Sequence, residues 1–334
     1  MQIKQALTHA IHTLKSAESS DSAAFLDSAS LLDSGGALDS RDAGAYSPDI
    51  YPLASHPTQA APESTRTRFR LEAEILLGFV LGHDRVWLHT HDDHILNHDE
   101  QRQFFTLIDK RAQSYPIEYL TKRVSFLDME LFIDFGALIP RPESEILVER
   151  ACSLLESIIS ANTHTPHTRQ NPHIIEVGVG SGALSIAIAR ALPQVQITAT
   201  DISESALAIA QKNIKHFGLA DRITLVQTSL FEGVDTAGVS LVLSNPPYIA
   251  RAYPIGKSLR YEPACALFGG DRGDEILAEI IRACARESIP TLACEMGYDQ
   301  RISMQQLLES SGYKAEFYTD LAGFDRGFTA HKKL

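Results

Sequence analysis

The chain is poor in several residues and patterns that would define its class. It has one tryptophan, Trp87, and four cysteines, Cys152, Cys265, Cys284 and Cys294, in 334 residues. The cysteines lie far apart with no CxxC pair, which argues against a zinc knuckle or a disulfide framework and for reduced thiols, some packed in a core. No run of eighteen or more apolar residues occurs, and the first fifteen residues carry lysines and histidines without a continuous apolar stretch. Neither a membrane span nor a secretory signal is supported, and the cytoplasm is the expected compartment. Basic residues are outnumbered, 30 Lys and Arg against 42 Asp and Glu, for a formal net charge of −12. No basic stripe runs along the sequence, which disfavours nucleic acid as a partner while leaving room for a local patch.

What is present points to two domains. The length exceeds that of a typical single domain, and 44% hydrophobic residues suffice for buried cores. Residues 17–66 hold eight acidic side chains and two arginines, so half of the net charge belongs to this segment. Rich in Ser, Ala, Asp, Gly and Pro and without sustained periodicity, it reads as a low-complexity, disordered insertion. It interrupts a helical region. Ile3, Leu7, Ala10, Ile11 and Leu14 share one face of a helix over residues 2–15, helical spacing resumes over 68–81 with Leu71, Ile75, Leu76 and Phe79, and another helix is expected over 99–113. Residues 1–118 are thus expected to form a small helical domain, with Trp87 in its packing. The histidines at 89, 91, 94 and 98 match no common zinc spacing and lie among Asp92, Asp93 and Asp99, so they read as a polar connector, and no metal is expected.

Short strand-like pieces around Val124–Phe126 and Glu130–Ile133 predict a β-hairpin linker within residues 119–140. From Arg141 strands and helices alternate. Strands are placed at His173–Val177, Gln196–Asp201, Ile223–Gln227, Leu241–Ser244 and Thr291–Glu295, with helices near 183–192, 204–217 and 274–286. This alternation predicts an α/β domain over 141–334, a doubly wound, mostly parallel sheet.

Two motifs in that domain carry chemistry. Gly178, Gly180 and Gly182, within Glu176-Val177-Gly178-Val179-Gly180-Ser181-Gly182, follow a strand and open a helix, where a side-chain-free turn brings backbone N–H groups close to a ligand. Asp201 ends the next strand, placed to accept both hydroxyls of a ribose. The same pattern suits a dinucleotide, so the turn alone does not separate NAD from S-adenosylmethionine. About sixty residues later comes Asn245-Pro246-Pro247-Tyr248, at the end of the apolar run Leu241-Val242-Leu243. In an open α/β sheet that position faces the ligand crevice. The Asn245 side-chain carbonyl and the Pro246 backbone carbonyl can each accept an N–H from a substrate –NH₂, and the prolines stiffen the turn. Tyr248 can stack on a planar group and favour positive charge developing on nitrogen. Together the motifs suggest methyl transfer to an amide or amine nitrogen, driven mostly by orientation.

These residues resemble those of the protein-(glutamine-N5) methyltransferases that modify peptide-chain release factors. The likeness extends to residues 117–149, with Ile139-Pro140-Arg141-Pro142-Glu143-Ser144-Glu145, and to Arg260-Tyr261-Glu262-Pro263 and Ala266-Leu267-Phe268-Gly269-Gly270. It covers residues 67–334 and the first helix. It implies a Rossmann-like S-adenosylmethionine-dependent methyltransferase domain with a mostly parallel seven-stranded sheet, preceded by the small helical domain, which docks the substrate, and the hairpin. The implied cofactor site is Glu176, Gly178, Val179, Gly180, Ser181, Gly182, Asp201, Ser229, Leu230 and Asn245, with S-adenosylhomocysteine as product. Asn245, Pro246 and Tyr248 are the implied catalytic residues, and with Pro247 the substrate site for the glutamine of the Gly-Gly-Gln loop in a class 1 release factor. A monomer is expected. Two departures stand out. Ser229 and Leu230 occupy positions where the family often has an acidic and then an aromatic residue near the adenine, and Ser144 replaces the usual threonine.

Rival readings remain. DNA and RNA amino-methyltransferases share the Asn-Pro-Pro-Tyr tetrapeptide, but no base-reading domain or basic stripe accompanies it here. A nicotinamide-dependent oxidoreductase would use the glycine turn and Asp201 yet leave residues 245–248 without a task. A non-enzymatic adaptor would have no need of both motifs intact.

Overall fold

The computed structural model describes residues 1–32, 62–163 and 171–333. They form two units, one comprising Met1–Thr121 with Gly256–Ser258, the other Lys122–Ile255 with Leu259–Leu334.

The first unit is built from five helices, α1 (Ile3–Leu32), α2 (Pro62–Leu81), α3 (Arg85–Thr90), α4 (His98–Ala112) and α5 (Ile117–Thr121). Ile3, Leu14, Phe69, Leu76, Leu77, Phe104 and Ile108 supply its core. Helix α4 starts on a capping box in which Asn97 accepts from the Glu100 amide while the Glu100 side chain accepts from the Asn97 amide. The expected insertion is narrower than 17–66. Helix α1 continues to Leu32 and α2 begins at Pro62, while Arg68 pairs with Glu18 at 2.8 Å. Residues 17–32 contain no glycine or proline, so extending an already nucleated helix costs little; residues 33–61 lie outside the described residues. Trp87 packs at the edge of this core, stacked between the rings of His83 and His91. His89 turns instead to the fully buried Glu74, which Arg70 and Arg85 also contact. Burial raises the Glu74 pKa, but the two arginine hydrogen bonds outweigh it and hold the carboxyl below its usual range.

The second unit opens with the hairpin β1 (Arg123–Phe126) and β2 (Met129–Phe132), paired antiparallel. Helix α6 (Ser144–Thr163) follows, then β3 (His173–Val177), α7 (Ala183–Ala191), β4 (Gln196–Asp201), α8 (Glu204–His216), β5 (Ile223–Gln227) and β6 (Val239–Ser244). Short elements β7 (Ile249–Ala250), α9 (Ala264–Leu267) and β8 (Phe268–Gly270) lead into α10 (Glu275–Arg286), β9 (Thr291–Glu295), α11 (Arg301–Ser310), β10 (Tyr313–Thr319) and β11 (Asp325–Lys332). The seven-stranded sheet has the order β10-β11-β9-β6-β3-β4-β5. Strands β3, β4, β5, β6 and β9 run parallel, and β11 and β10 add an antiparallel edge. Strands β3, β6 and β9 are buried almost throughout, as expected of parallel strands covered on both faces. The order reverses at β3, with β4 on one side and β6 on the other, which opens a crevice beyond their carboxyl ends. The hairpin is fastened to this unit by the buried Asn213 of α8, which donates to the carbonyl of Phe132, accepts from its amide and donates also to the Ser181 carbonyl, each at 2.8 Å. Among the described residues no helix is long and apolar enough to cross a membrane.

Candidate active site

The crevice at the strand reversal is a cavity of about 210 Å³ lined by residues 176–181, Asp201, Ser229, Leu230 and Asn245–Pro247, among others. Glu176 closes its floor from the end of β3, almost fully buried, and accepts a short hydrogen bond from the Ser185 hydroxyl of α7. Burial pushes its carboxyl up to about 8; the Ser185 hydrogen bond offsets part of this and the Asp201 charge adds to it.

Gly178, Gly180 and Gly182 all have positive φ, the reason glycine is required there. A Cβ on Gly178 or Gly180 would meet open space, whereas one on Gly182 would press on Ile186 and Ala210. Gly182 does not line the cavity; it lets α7 pack against α8. The expectation that the turn presents its amides to a ligand is corrected. The amides of Gly178 and Val179 both donate to the Thr200 carbonyl at 2.9 Å, that of Gly180 to Asp201 Oδ2 at 3.0 Å and that of Gly182 to Val179 at 2.8 Å. Turned inward, these amides bind the turn to β4 and are not offered to a pyrophosphate, which removes the main support for the nicotinamide reading. Asp201 is therefore doubly employed, since its Oδ1 accepts from the Ser203 amide at 2.9 Å. Both oxygens retain lone pairs toward the cavity, where a ribose diol can donate to them.

Asn245 stands at the end of β6. Its Nδ2 donates to the Ser144 hydroxyl at 2.9 Å, which leaves Oδ1 as an acceptor at the cavity wall. Ser144 is buried at the start of α6, and its hydroxyl lowers the pKa of the buried Glu295 carboxyl at the end of β9 against the larger effect of burial. Tyr248 departs from expectation. It does not line the cavity and its ring packs against the small cluster of Ile249, Leu259 and Leu267. Burial, with Glu295 adding, pushes its phenol up to about 12. The Tyr248 phenol senses Glu295, Arg326, Arg141 and Glu143 instead.

The loop is held from behind. Gln300 donates to the Tyr248 carbonyl at 3.0 Å and accepts from the Gly297 amide at 2.9 Å. Gly269 and Gly273 pass so close that a Cβ on them would lie 2.3 Å from the Pro247 carbonyl oxygen and 2.5 Å from that of Tyr248. Glu262 accepts from the Ile139 amide at 3.0 Å and pairs with Arg141, tying the segment before α6 to the one after the Asn-Pro-Pro-Tyr loop.

Comparison with known proteins identifies the family. The profile of the PrmC N-terminal domain matches residues 62–121, and that of the methyltransferase small domain matches residues 148–257. The release factor glutamine methyltransferase of Rhodopirellula baltica is 33% identical over 278 residues, covering 79% of this chain and 89% of its own. That of Moorella thermoacetica is 34% identical over 272 residues, covering 80% and 92%. The chain belongs to the release factor glutamine methyltransferase family. Among solved structures, a ribosomal protein L11 methylase from Lactobacillus delbrueckii subsp. bulgaricus aligns with a TM-score of 0.41 at 19% identity, over 60% of this chain and 84% of its own.

Within this family member, several site residues escaped the sequence reading. Phe126, Leu138 and Pro140 from the hairpin and its exit line the cavity, although the hairpin was expected only to link domains. Thr200 ties the turn, β3 and Leu230 together through its carbonyl and hydroxyl. Leu230 takes a left-handed φ of 51°, so the chain bends at Ser229 and Leu230, both of which line the cavity.

Proposed function

We propose that this methyltransferase transfers a methyl group from S-adenosylmethionine to the side-chain amide nitrogen of the glutamine in the Gly-Gly-Gln loop of a class 1 release factor. The observation that carries this reading is the Asn245 amide, pinned through Nδ2 to Ser144 with Oδ1 left to accept. A primary amide nitrogen has a delocalised lone pair and is a poor nucleophile. Accepting its two N–H groups, at Asn245 Oδ1 and the Pro246 carbonyl, turns that lone pair toward the donor and raises the local electron density. Glu176 to Ser181, Asp201, Ser229 and Leu230 would hold the cofactor. The inward-turned glycine amides suit a ligand without phosphate groups, and the buried Glu176 suits one that carries positive charge. Bound there, S-adenosylmethionine supplies a methyl activated by a sulfonium. As the N–C bond forms and the C–S bond breaks, the nitrogen becomes cationic, and the carbonyl acceptors stabilise its N–H groups until one proton leaves to solvent. The apolar Phe126 of the hairpin and Leu138 of the segment after it keep water from the donor. The helical domain is the proposed dock for the release factor.

The test is incubation with S-adenosylmethionine and an unmodified release factor, followed by mass spectrometry of the Gly-Gly-Gln peptide. One added methyl on that glutamine is expected, and Asn245→Ala should lower kcat by about 100- to 1000-fold with cofactor affinity unchanged. Methyl transfer to DNA or RNA in parallel reactions, with none to the glutamine, would overturn the reading.

A further inference from the structure

Glu295 is nearly inaccessible, at 1% exposure, and its Oε1 finds no hydrogen-bond partner among the described residues. A buried carboxyl with an unpartnered oxygen is costly, and an apolar or amide side chain would fill the same place more cheaply. Ser144 is the side-chain hydrogen-bond donor that lowers the Glu295 pKa, and Ser144 in turn accepts from Asn245 Nδ2 at 2.9 Å. We propose that Glu295, acting through Ser144, is a positioning residue that holds the Asn245 amide in the orientation presenting Oδ1 to the substrate nitrogen. The inference rests on the function proposed above and deepens it.

A serine hydroxyl has a single hydrogen. When Glu295 is ionised it can only accept, so the Ser144 hydrogen points at Glu295 and only oxygen lone pairs are left to face Asn245. The Asn245 group on that side must then be the NH₂, and Oδ1 is forced to the other side. When Glu295 is protonated it can donate to Ser144, whose own hydrogen is then free to turn to Asn245. The amide can flip, placing its NH₂ where the substrate nitrogen needs an acceptor. The ionised carboxylate thus sets the direction of the chain Asn245 to Ser144 to Glu295.

Several groups face Glu295. Arg326 of β11 favours its charged form, Glu143 at the start of α6 opposes it, and Tyr248, Tyr318 of β10 and the neighbouring Cys294 thiol stand close enough to sense it. Burial dominates and raises the carboxyl to about 7, against the lowering by Ser144 and Arg326. The switch from one hydrogen-bond direction to the other therefore falls near neutral pH.

The experiment measures kcat against pH with saturating S-adenosylmethionine and release factor for the wild type, Ser144→Ala, Ser144→Thr and Glu295→Gln. S-adenosylhomocysteine affinity, measured by calorimetry, controls for folding. The wild type should lose turnover as pH falls through about 7. Ser144→Ala should lower kcat by about 100-fold with little change in KM or S-adenosylhomocysteine affinity, and Ser144→Thr, which keeps the hydroxyl, should restore it. Glu295→Gln, uncharged at every pH, should show a reduced kcat without the limb near pH 7. Wild-type turnover in Ser144→Ala, or an unaltered acid limb in Glu295→Gln, would overturn the positioning role while leaving the function intact. If Ser144→Ala fails to bind S-adenosylhomocysteine, the comparison of Ser144→Thr with Glu295→Gln decides: a limb retained in the first and lost in the second supports the role, and a limb in both overturns it. A wild type that does not methylate the release factor would overturn the underlying function and this inference with it.

Discussion

Glu176 and Asp201 lie at the ends of neighbouring strands, and their environments give them different tasks. Asp201 is spread over backbone donors from Gly180 and Ser203, so it shapes the turn as well as offering lone pairs to a ligand. Glu176 is almost fully buried and accepts from the Ser185 hydroxyl and amide, and burial pushes its carboxyl up to about 8. A cationic ligand settling beside it would favour the ionised form and expel its proton. Binding of S-adenosylmethionine at pH 7.5 is therefore expected to release up to about one proton, with affinity rising as pH approaches 8. Calorimetry in two buffers of different ionisation enthalpy measures the release, which should vanish in Glu176→Gln; equal heats in both buffers for the wild type would contradict it. Both residues were candidates from the sequence, because a strand, a glycine turn and an acid at the next strand end have few other uses. The raised pKa of Glu176 was not legible, since it depends on burial and on neighbours such as Ser185 brought in by folding.

At the scale of elements, the Asn-Pro-Pro-Tyr loop is held by its packing. Segment β8 and the turn after it lie against its backbone so closely that glycine is the only residue that fits at 269. An added Cβ would stand 2.2 Å from the Gly273 carbonyl oxygen and 2.3 Å from that of Pro247. Gly269→Ala is expected to cost about 1–3 kcal/mol, as overpacking does, and to lower kcat more than cofactor affinity because the displaced loop carries Asn245. Denaturant unfolding and steady-state kinetics check the two parts; a variant as stable and as active as the wild type would refute the close packing. The parallel strands and helices α8 and α10 were readable from apolar runs bounded by caps such as Ser203. Strands β10 and β11 were not placed residue by residue. Their burial alternates or fails to, as in Tyr313–Thr319, because one forms the sheet edge and the other lies inside it. The short β7, α9 and β8 lack any period long enough to register.

For the molecule as a whole, stability should depend on pH through carboxyls the site keeps buried. Glu176 and Glu295 have folded pKa values of about 8 and about 7, raised from 4.5. Below 4.5 both are protonated in the folded and unfolded chain. Above it the unfolded chain gives up protons that the folded one retains, so the stability they contribute is lost as pH rises through the folded values. The ligand-free protein should accordingly lose melting temperature between about pH 5 and 8 relative to the Glu176→Gln, Glu295→Gln double variant, as scanning calorimetry can measure. Parallel curves for the two proteins would show that the carboxyls are not buried as described. The sequence alone was enough for the doubly wound sheet and the family, and it marked Asn245 as a candidate, because these rest on local periodicity, turn chemistry and motifs contiguous in the chain. It also suggested one wrong boundary, since a helix can run on through Ser- and Ala-rich residues that show no amphipathic period. Folding alone turns the glycine amides inward, packs Tyr248 against Ile249, Leu259 and Leu267 and brings Ser144 to Asn245. Those contacts join residues 144, 245 and 295. Hydrogen bonds across such separations are fixed by how the strands are ordered in the sheet, which no local pattern encodes.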